Sequence, residues 1–401
     1  MESHNQIEKR EPADLLPNEA SLRDWLLLIR APGLGARRQR ELLGHFGSAS
    51  AIVADKGAAL RAHANGSYGK ALDWFAAPDD ALLDADLAWL QEKDRYLIPC
   101  TDSRFPTRLN AAYGAPAALF LRGEPAVLSM PSIAMVGSRN PTRDGQALAG
   151  EFAAELAQAG LVVVSGLAIG IDGASHRGAL SVNGLSVAVC ATGLDKVYPA
   201  RHLQLAQELE SSGALVSEFP IGSSSRPGNF PRRNLTIAGL SLGVLVVEAA
   251  RRSGSLITAR DAMEQGRELF AIPGSVHNPL ARGCHALIRD GAKLVETAED
   301  VLEELRNIVE LPDIDQIHSG GRGAPGRKTD NECDTGNQSA VAGDPEYDIL
   351  LKMLGSEPLS VDDLVERSGL TADVVSSMLL ILELDGHVEP RPGGGFQRCH
   401  S

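Results

Sequence analysis

Five short stretches gather glycines, hydroxyl side chains and charged groups in turn-like settings. They are Gly137-Ser138-Arg139-Asn140-Pro141-Thr142, Ser165-Gly166 through Asp172, Gly193-Leu194-Asp195, the polar run from Glu218 to Asn234, and Ala249 through Ser255. Glycine lets a backbone approach a ligand closely. Serine and threonine hydroxyls and the amides of helix N-termini donate to oxygens, and Arg139 adds a planar, two-pronged cation. The shared chemistry is capture of several anionic oxygens. Between Arg226 and Arg260 stand six arginines (Arg226, Arg232, Arg233, Arg251, Arg252, Arg260) against one carboxylate, Glu248. Phe230 sits among these cations. Rings that stack on bases, interleaved with guanidinium groups that follow a phosphate backbone, are the chemistry of a single-strand site. A ring at that place could equally pin its loop to the core.

The anion is not held by the usual nucleotide grips. No GxxxxGK[ST] stretch and no GxGxxG opening a helix occurs, so neither the triphosphate cradle nor the dinucleotide fingerprint is present. A catalytic reading rests on other residues. Glu218 and Glu248 close apolar runs, and Asp172 and His176 lie four apart on one expected helix. Such pairs could work as acid and base or hold a metal. They could also cap a helix and brace arginines.

These residues need a frame to position them. The 401-residue chain suggests two to three domains, and an apolar content of 43% suffices for a sizeable core. Net charge is −14, so polyanion binding demands a local basic site on an acidic body. Five scattered cysteines without metal-ligand spacing read as reduced thiols, and hence a cytoplasmic protein. The first residues are too charged for a secretory signal. No apolar run reaches the ~18 residues of a membrane span.

From about residue 97, short β-branched runs alternate with amphipathic stretches: IAMVG, LVVVSG, SVAVCATG, ALVSE, GVLVVEA and ELFAIPG, each followed by a helical pattern. This predicts an α/β fold with a doubly wound parallel sheet, in which ligands sit beyond the carboxyl ends of the strands. Residues 1–19 are expected to be disordered. Residues 20–96 read as a helical domain in which Pro32-Gly33-Leu34-Gly35 joins two helices. The sheet domain spans 97–310. A linker poor in large apolar residues follows over 311–344. Residues 345–398 read as three helices and a hairpin wing, with Ser360-Val361-Asp362-Asp363 opening one helix. Ten acidic residues against two basic ones between 345 and 390 favour a protein contact over DNA for that last part.

The stretches MVGSRNPT, VVVSGLAIGIDGASHRGAL, TGLDKVYPARHLQL, GALVSEFPIG, NFPRRN, SLGVLVVEAARRSGSLITARDAMEQGRELFAIPG and GCHALIRDGAKLV, in this order, resemble the DNA-processing protein A family, also called Smf. The resemblance implies an extended Rossmann-like domain, a SAM or helix-hairpin-helix-like N-terminal domain and a C-terminal winged helix. It implies binding of single-stranded DNA without cleavage, protection of incoming DNA, loading of the RecA recombinase during natural transformation, and a homodimer formed through the Rossmann-like domain. It implies no cofactor, no metal and no membrane. Carried over by position, Gly137, Ser138, Arg139, Phe230, Arg233 and Asn234 match the DNA pocket, lined by Ser165 and Gly166. Ser253, Gly254, Ser255 and Thr258 match the turn beside it. Where the family usually reads Arg-Asn-Arg, this chain has Arg233-Asn234-Leu235, which removes a cation; the resemblance then implies either weaker affinity or compensation by Arg232. A Rossmann-like nucleotide or nucleoside-phosphate hydrolase is the alternative, although its Pro-Gly-Gly-x-Gly-Thr stretch is missing.

Overall fold

The computed structural model describes residues 19–55 and 69–309. Of the C-terminal part it describes 353–354, 359–360, 363–364, 375, 378–379, 382, 388–391 and 395–398. The expected linker at 311–344 and nearly all of the expected disordered start lie outside these residues. The chain divides into two units, one holding the long described segments apart from Arg226–Gly228, and one holding those three residues and the C-terminal part.

The first unit opens with helices α1 (Glu19–Arg30), α2 (Ala36–Phe46), α3 (Ala49–Ala54), α4 (Gly69–Ala76) and α5 (Asp80–Leu90). The Pro32–Gly35 turn joins α1 to α2, as the glycines predict. Strands β1 (Arg95–Pro99) and β2 (Ala118–Gly123) follow, with the short α6 (Thr107–Asn110) between them. Then comes the alternation read from the sequence. It runs β3 (Ser132–Val136), α7 (Arg143–Gln158), β4 (Val162–Ser165), α8 (Ile171–Ser181), β5 (Ser186–Val189), α9 (Leu203–Ser211), β6 (Gly213–Ser217) and α10 (Asn229–Leu240). It continues with β7 (Gly243–Val246), α11 (Ser255–Glu264), β8 (Glu268–Ala271), α12 (Arg282–Arg289), β9 (Lys293–Leu294) and α13 (Ala298–Arg306).

The nine strands form one sheet in the order β1-β2-β6-β5-β4-β3-β7-β8-β9. From β6 to β9 every pairing is parallel. The β1–β2 hairpin extends the β6 edge in antiparallel fashion. Alternate residues feed opposite faces, as the two-residue period requires. Ala134, Val136, Val162 and Val164 pack with Ile237 of α10 on one face, and Ile133, Met135 and Val163 pack with Phe152 and Leu156 of α7 on the other. The N-terminal helices share one apolar cluster with the sheet, in which Trp25, Leu43 and Trp89 meet Phe120, Leu167 and Leu215. Buried Asp86 of α5 bonds Arg30 and accepts from the Ile221 amide at 3.1 Å, which ties the helical layer to the loop after β6.

The chain winds from β3 through β6 in one direction and restarts on the other side of β3 with β7. The crevice between the carboxyl ends of β3 and β7 is therefore the topological switch point, where such sheets place ligands.

In the second unit, β10 (Leu359–Ser360), β11 (Val388–Arg391) and β12 (Gly395–Arg398) form an antiparallel sheet in the order β10-β12-β11. Leu354, Leu364, Val375, Met378, Leu379, Leu382 and Val388 make its core. The predicted cap at Ser360 is present. Its hydroxyl donates to the Asp363 carboxylate at 2.6 Å and accepts from the Asp363 amide at 3.1 Å, a reciprocal capping arrangement.

Candidate functional site

The turn after β3 is stitched to its neighbours by backbone. The Ser138 amide donates to the Glu248 carbonyl at the end of β7 (2.7 Å), and the Ile171 amide at the start of α8 donates to the Ser138 carbonyl (3.1 Å). Ser138 Oγ accepts from the Asn140 amide at 3.1 Å. This leaves Arg139 exposed at the tip, with no ion pair among the described residues.

The next loop, after β4, is shaped by a buried ion pair. Asp172, in the first turn of α8, accepts from the amides of Gly166 (3.1 Å) and Ala168 (3.3 Å). The same carboxylate lies 3.7 Å from Nη1 of Arg233. Arg233 is only 5% exposed, and burial pulls its pKa below the ordinary arginine value, with Asp172 opposing that. Gly166 makes room for it. A Cβ built at Gly166 would stand 1.0 Å from Arg233 Nη1, so no other residue fits under this guanidinium. Ser165 is buried, its hydroxyl donating to the Met135 carbonyl at 2.7 Å. It shapes the floor from below.

The polar run from 218 to 234 differs from the sequence reading in one respect. The helical pattern after ALVSE reads from Arg233, as RNLTIAGLS; helix α10 begins four residues earlier, at Asn229, and Pro231 sits in its first turn, where a missing amide costs nothing. Phe230 and Arg233 thereby become i and i+3 neighbours on one helix face. The Arg233 guanidinium lies over the Phe230 ring at 5.9 Å, and Arg139 lies over it at 5.3 Å. The ring is half-buried and belongs to none of the apolar clusters of the core. A third loop arrives at the same place, as Tyr198 meets Phe230 edge to face with centroids 6.2 Å apart. Asn229 Nδ2 donates to the Ala191 carbonyl at 2.8 Å, and the Gly222 amide donates to Asp195 at 2.8 Å. Three loops on one edge of the sheet thus converge on a single aromatic–arginine cluster.

The family model described as DNA recombination-mediator protein A matches residues 96–306, more than half of the chain. The chain belongs to the DNA recombination-mediator protein A family. A second model, the DprA winged helix domain, matches residues 335–394. The chain is 44% identical over 323 residues to Protein Smf of Escherichia coli, covering 79% of this chain and 82% of that one. It is 43% identical over 225 residues to the DNA processing protein DprA of Bacillus subtilis, covering 55% and 76%. Among solved structures it is similar to DNA processing protein A of Streptococcus pneumoniae, with a TM-score of 0.64 and 35% identity, covering 70% of this chain and 97% of that one.

In this member of the family the carboxylates play structural parts. Glu248 reaches across the switch point to the N-terminus of α7. It accepts from the Thr142 amide (2.9 Å) and hydroxyl (2.7 Å) and from Asn278 Nδ2 (3.2 Å). The helix N-terminus that holds a nucleotide phosphate in many doubly wound sheets is thus filled by the protein's own anion. Glu218 is buried and binds Arg232 at 2.8 Å, while its Oε1 has no partner among the described residues. Burial raises its pKa, with Arg232 opposing the rise. Glu218 directly follows β6 and Glu248 lies two residues beyond β7, four strand spacings or roughly 19 Å apart, so they are no acid–base pair. His176 is fully buried. The Ser186 hydroxyl spends its proton on the Val163 carbonyl (2.7 Å) and so accepts from His176 Nδ1 at 2.8 Å. Burial holds the imidazole neutral, with a pKa of about 3. No group of His, Cys, Asp and Glu among the described residues could hold a metal ion.

The remaining expected residues fall in different places. Asn234 is partly buried beside Arg233 on α10. Arg232 is exposed, lies over Phe219 at 5.1 Å and is neutralised by Glu218. The Ser253-Gly254-Ser255 turn closes on itself, with the two hydroxyls 2.6 Å apart, and Thr258 is buried. Arg251, Arg252 and Arg260 are exposed and make no ion pair among the described residues. Leu235 lies about 200° around α10 from Arg233. It packs beside Gly114, so the cation missing at 235 is missing from another face of the helix. Sequence reasoning overlooked Tyr198. The signal was there, since Lys196-Val197-Tyr198-Pro199-Ala200-Arg201 sets an aromatic residue between two cations.

Proposed function

We propose that this chain binds single-stranded DNA along the carboxyl-terminal edge of its sheet, holds the strand uncut, and delivers it to a RecA-type recombinase, as expected of a protein of natural transformation. The observation that carries the reading is the convergence of Arg139, from the turn after β3, on Phe230 and Arg233 of α10, with Arg233 seated over Gly166. An exposed cation, a half-exposed ring and a buried cation behind them suit a chain of phosphates and bases. Assembly as a homodimer through the same domain accompanies the proposal. The dispersed carboxylates and the engaged histidine support binding without hydrolysis.

The test is a titration of a labelled single-stranded oligonucleotide, followed by anisotropy over a series of salt concentrations. Log affinity should fall with log salt at about −0.7 per phosphate engaged. Arg139→Ala should make the slope shallower by less than one unit while the oligonucleotide remains full length. A slope near zero, or shortened product, would overturn the reading. Recombinase delivery is checked separately, by filament assembly on oligonucleotide already covered by a single-strand-binding protein, which should begin sooner when this chain is added.

A further inference from the structure

We infer that Tyr198 is the base-stacking platform of the strand site, and that Phe230 holds the arginines in place beneath it. The inference rests on the single-strand reading above and adds a subsite to it. Phe230 is half-buried, and two guanidinium groups already lie over its ring, Arg139 at 5.3 Å and Arg233 at 5.9 Å. A base stacking there competes with the very cations that hold the phosphates. Tyr198 is differently placed. It is 46% exposed, it touches Phe230 edge to face, and its hydroxyl makes no hydrogen bond among the described residues. A large ring held half in water and bonded to nothing at its polar end contributes little to the fold.

The loop that carries the ring is anchored. Thr192 Oγ1 donates to the Lys196 carbonyl at 3.2 Å, the Gly193 amide donates to the Ser223 carbonyl at 3.0 Å, and Val197 packs against the core beside the helical layer. A rigid platform loses little entropy when a base lands on it. Lys196 and Arg201 flank Tyr198, both exposed and neither in an ion pair among the described residues. A ring set between unpaired cations is the pattern of sequence-tolerant single-strand binding, in which a base meets the ring and its phosphates meet the charges. The strand's path then runs from Arg139 across Tyr198 toward Lys196 and Arg201. The ligand is any single-stranded stretch with an intact base, since every base has a flat face.

The experiment separates stacking from charge. Tyr198→Ala should weaken binding of a single-stranded oligonucleotide about five- to a hundred-fold and leave the salt slope unchanged, because no phosphate contact is lost. Tyr198→Phe, which keeps the ring, should recover most of that loss, and Tyr198→Leu should not. The wild-type chain supplies a readout that no variant can spoil. With oligonucleotides carrying 5-iodouracil, ultraviolet light should cross-link a base to the peptide containing Tyr198. Wild-type affinity for Tyr198→Ala, recovery by Leu equal to that by Phe, or cross-links confined to Phe230 would each overturn the inference and leave strand binding standing. Failure of the wild-type chain to bind oligonucleotides would remove the strand reading and this inference together.

Discussion

Replacing Gly166 by alanine tests the site at its tightest point. The added Cβ would lie 1.0 Å from Arg233 Nη1 and 2.2 Å from its Cζ, whereas real Cβ contacts are essentially never under 3.0 Å. The guanidinium must withdraw by about 2 Å or more, because the strand and loop backbone behind Gly166 belong to the sheet and are less free to move. It then leaves Asp172 and its seat over Phe230. A unit charge drawn back from about 6 to about 8 Å from a phosphate loses roughly 0.7 kcal/mol at an effective dielectric of ~20. Loss of the cation–ring contact adds about 0.5–1 kcal/mol. The sum is about 1–2 kcal/mol, or a five- to thirty-fold loss of affinity. The assay is oligonucleotide anisotropy, with circular dichroism and a melting curve to show that the sheet persists. Gly44→Ala, in a helix position with nothing within 4 Å of the new Cβ, controls for adding a methyl group. A double-mutant cycle decides the mechanism: if Gly166 serves only to house Arg233, its substitution should cost less than about threefold once Arg233 is already alanine. Full wild-type affinity for Gly166→Ala, or an undiminished cost in the Arg233→Ala background, would refute this account.

Other outcomes follow from the paired groups. Glu218→Gln removes the charge that neutralises exposed Arg232, so affinity for single strands should rise several-fold and the salt slope should steepen by up to about 0.7; unchanged or weaker binding would show that Arg232 does not face the strand. His176 has a folded pKa of about 3 against an ordinary 6.5. Between those values the unfolded chain therefore binds more protons, and stability is complete above pH 6.5 and drains away as pH falls toward 3. The full loss amounts to roughly 4–5 kcal/mol, read as a falling melting temperature that His176→Gln should flatten. Asp86→Ala leaves the partly buried Arg30 and the Ile221 amide without their shared, buried partner; about 3–5 kcal/mol of stability should be lost in denaturant unfolding, and an unchanged midpoint would contradict this role of Asp86.

Much of this was legible along the chain. The alternation of β-branched runs and amphipathic stretches named the strands from Ile133 onward, because parallel strands covered on both faces leave a strong local signal. The Ser360 cap and the Pro32–Gly35 hairpin are equally local. Other features were misplaced or left open. The start of α10 was set four residues late, because Pro231 reads as a loop residue until it is seen to occupy a first turn. Phe230 reads as either a base platform or a core anchor; the structure leaves it outside the apolar clusters, with two guanidinium groups over its ring. Glu218 and Glu248 looked like a possible pair, since nothing in their spacing tells that three strands lie between β6 and β7.

The period of each element, the sheet class, the acidic body with its local run of arginines, and the glycines at the strand ends are all written along the chain. These depend on neighbours a few residues away. Which cations are spent and which are free is settled by folding. Arg232 is cancelled by Glu218 and Arg233 is buried against Asp172, while Arg139 stands open. Folding also decides that Glu248 closes the helix N-terminus 106 residues before it in the chain. A charge acts through distance in space, and folding sets that distance between residues whose separation along the chain carries no trace of it.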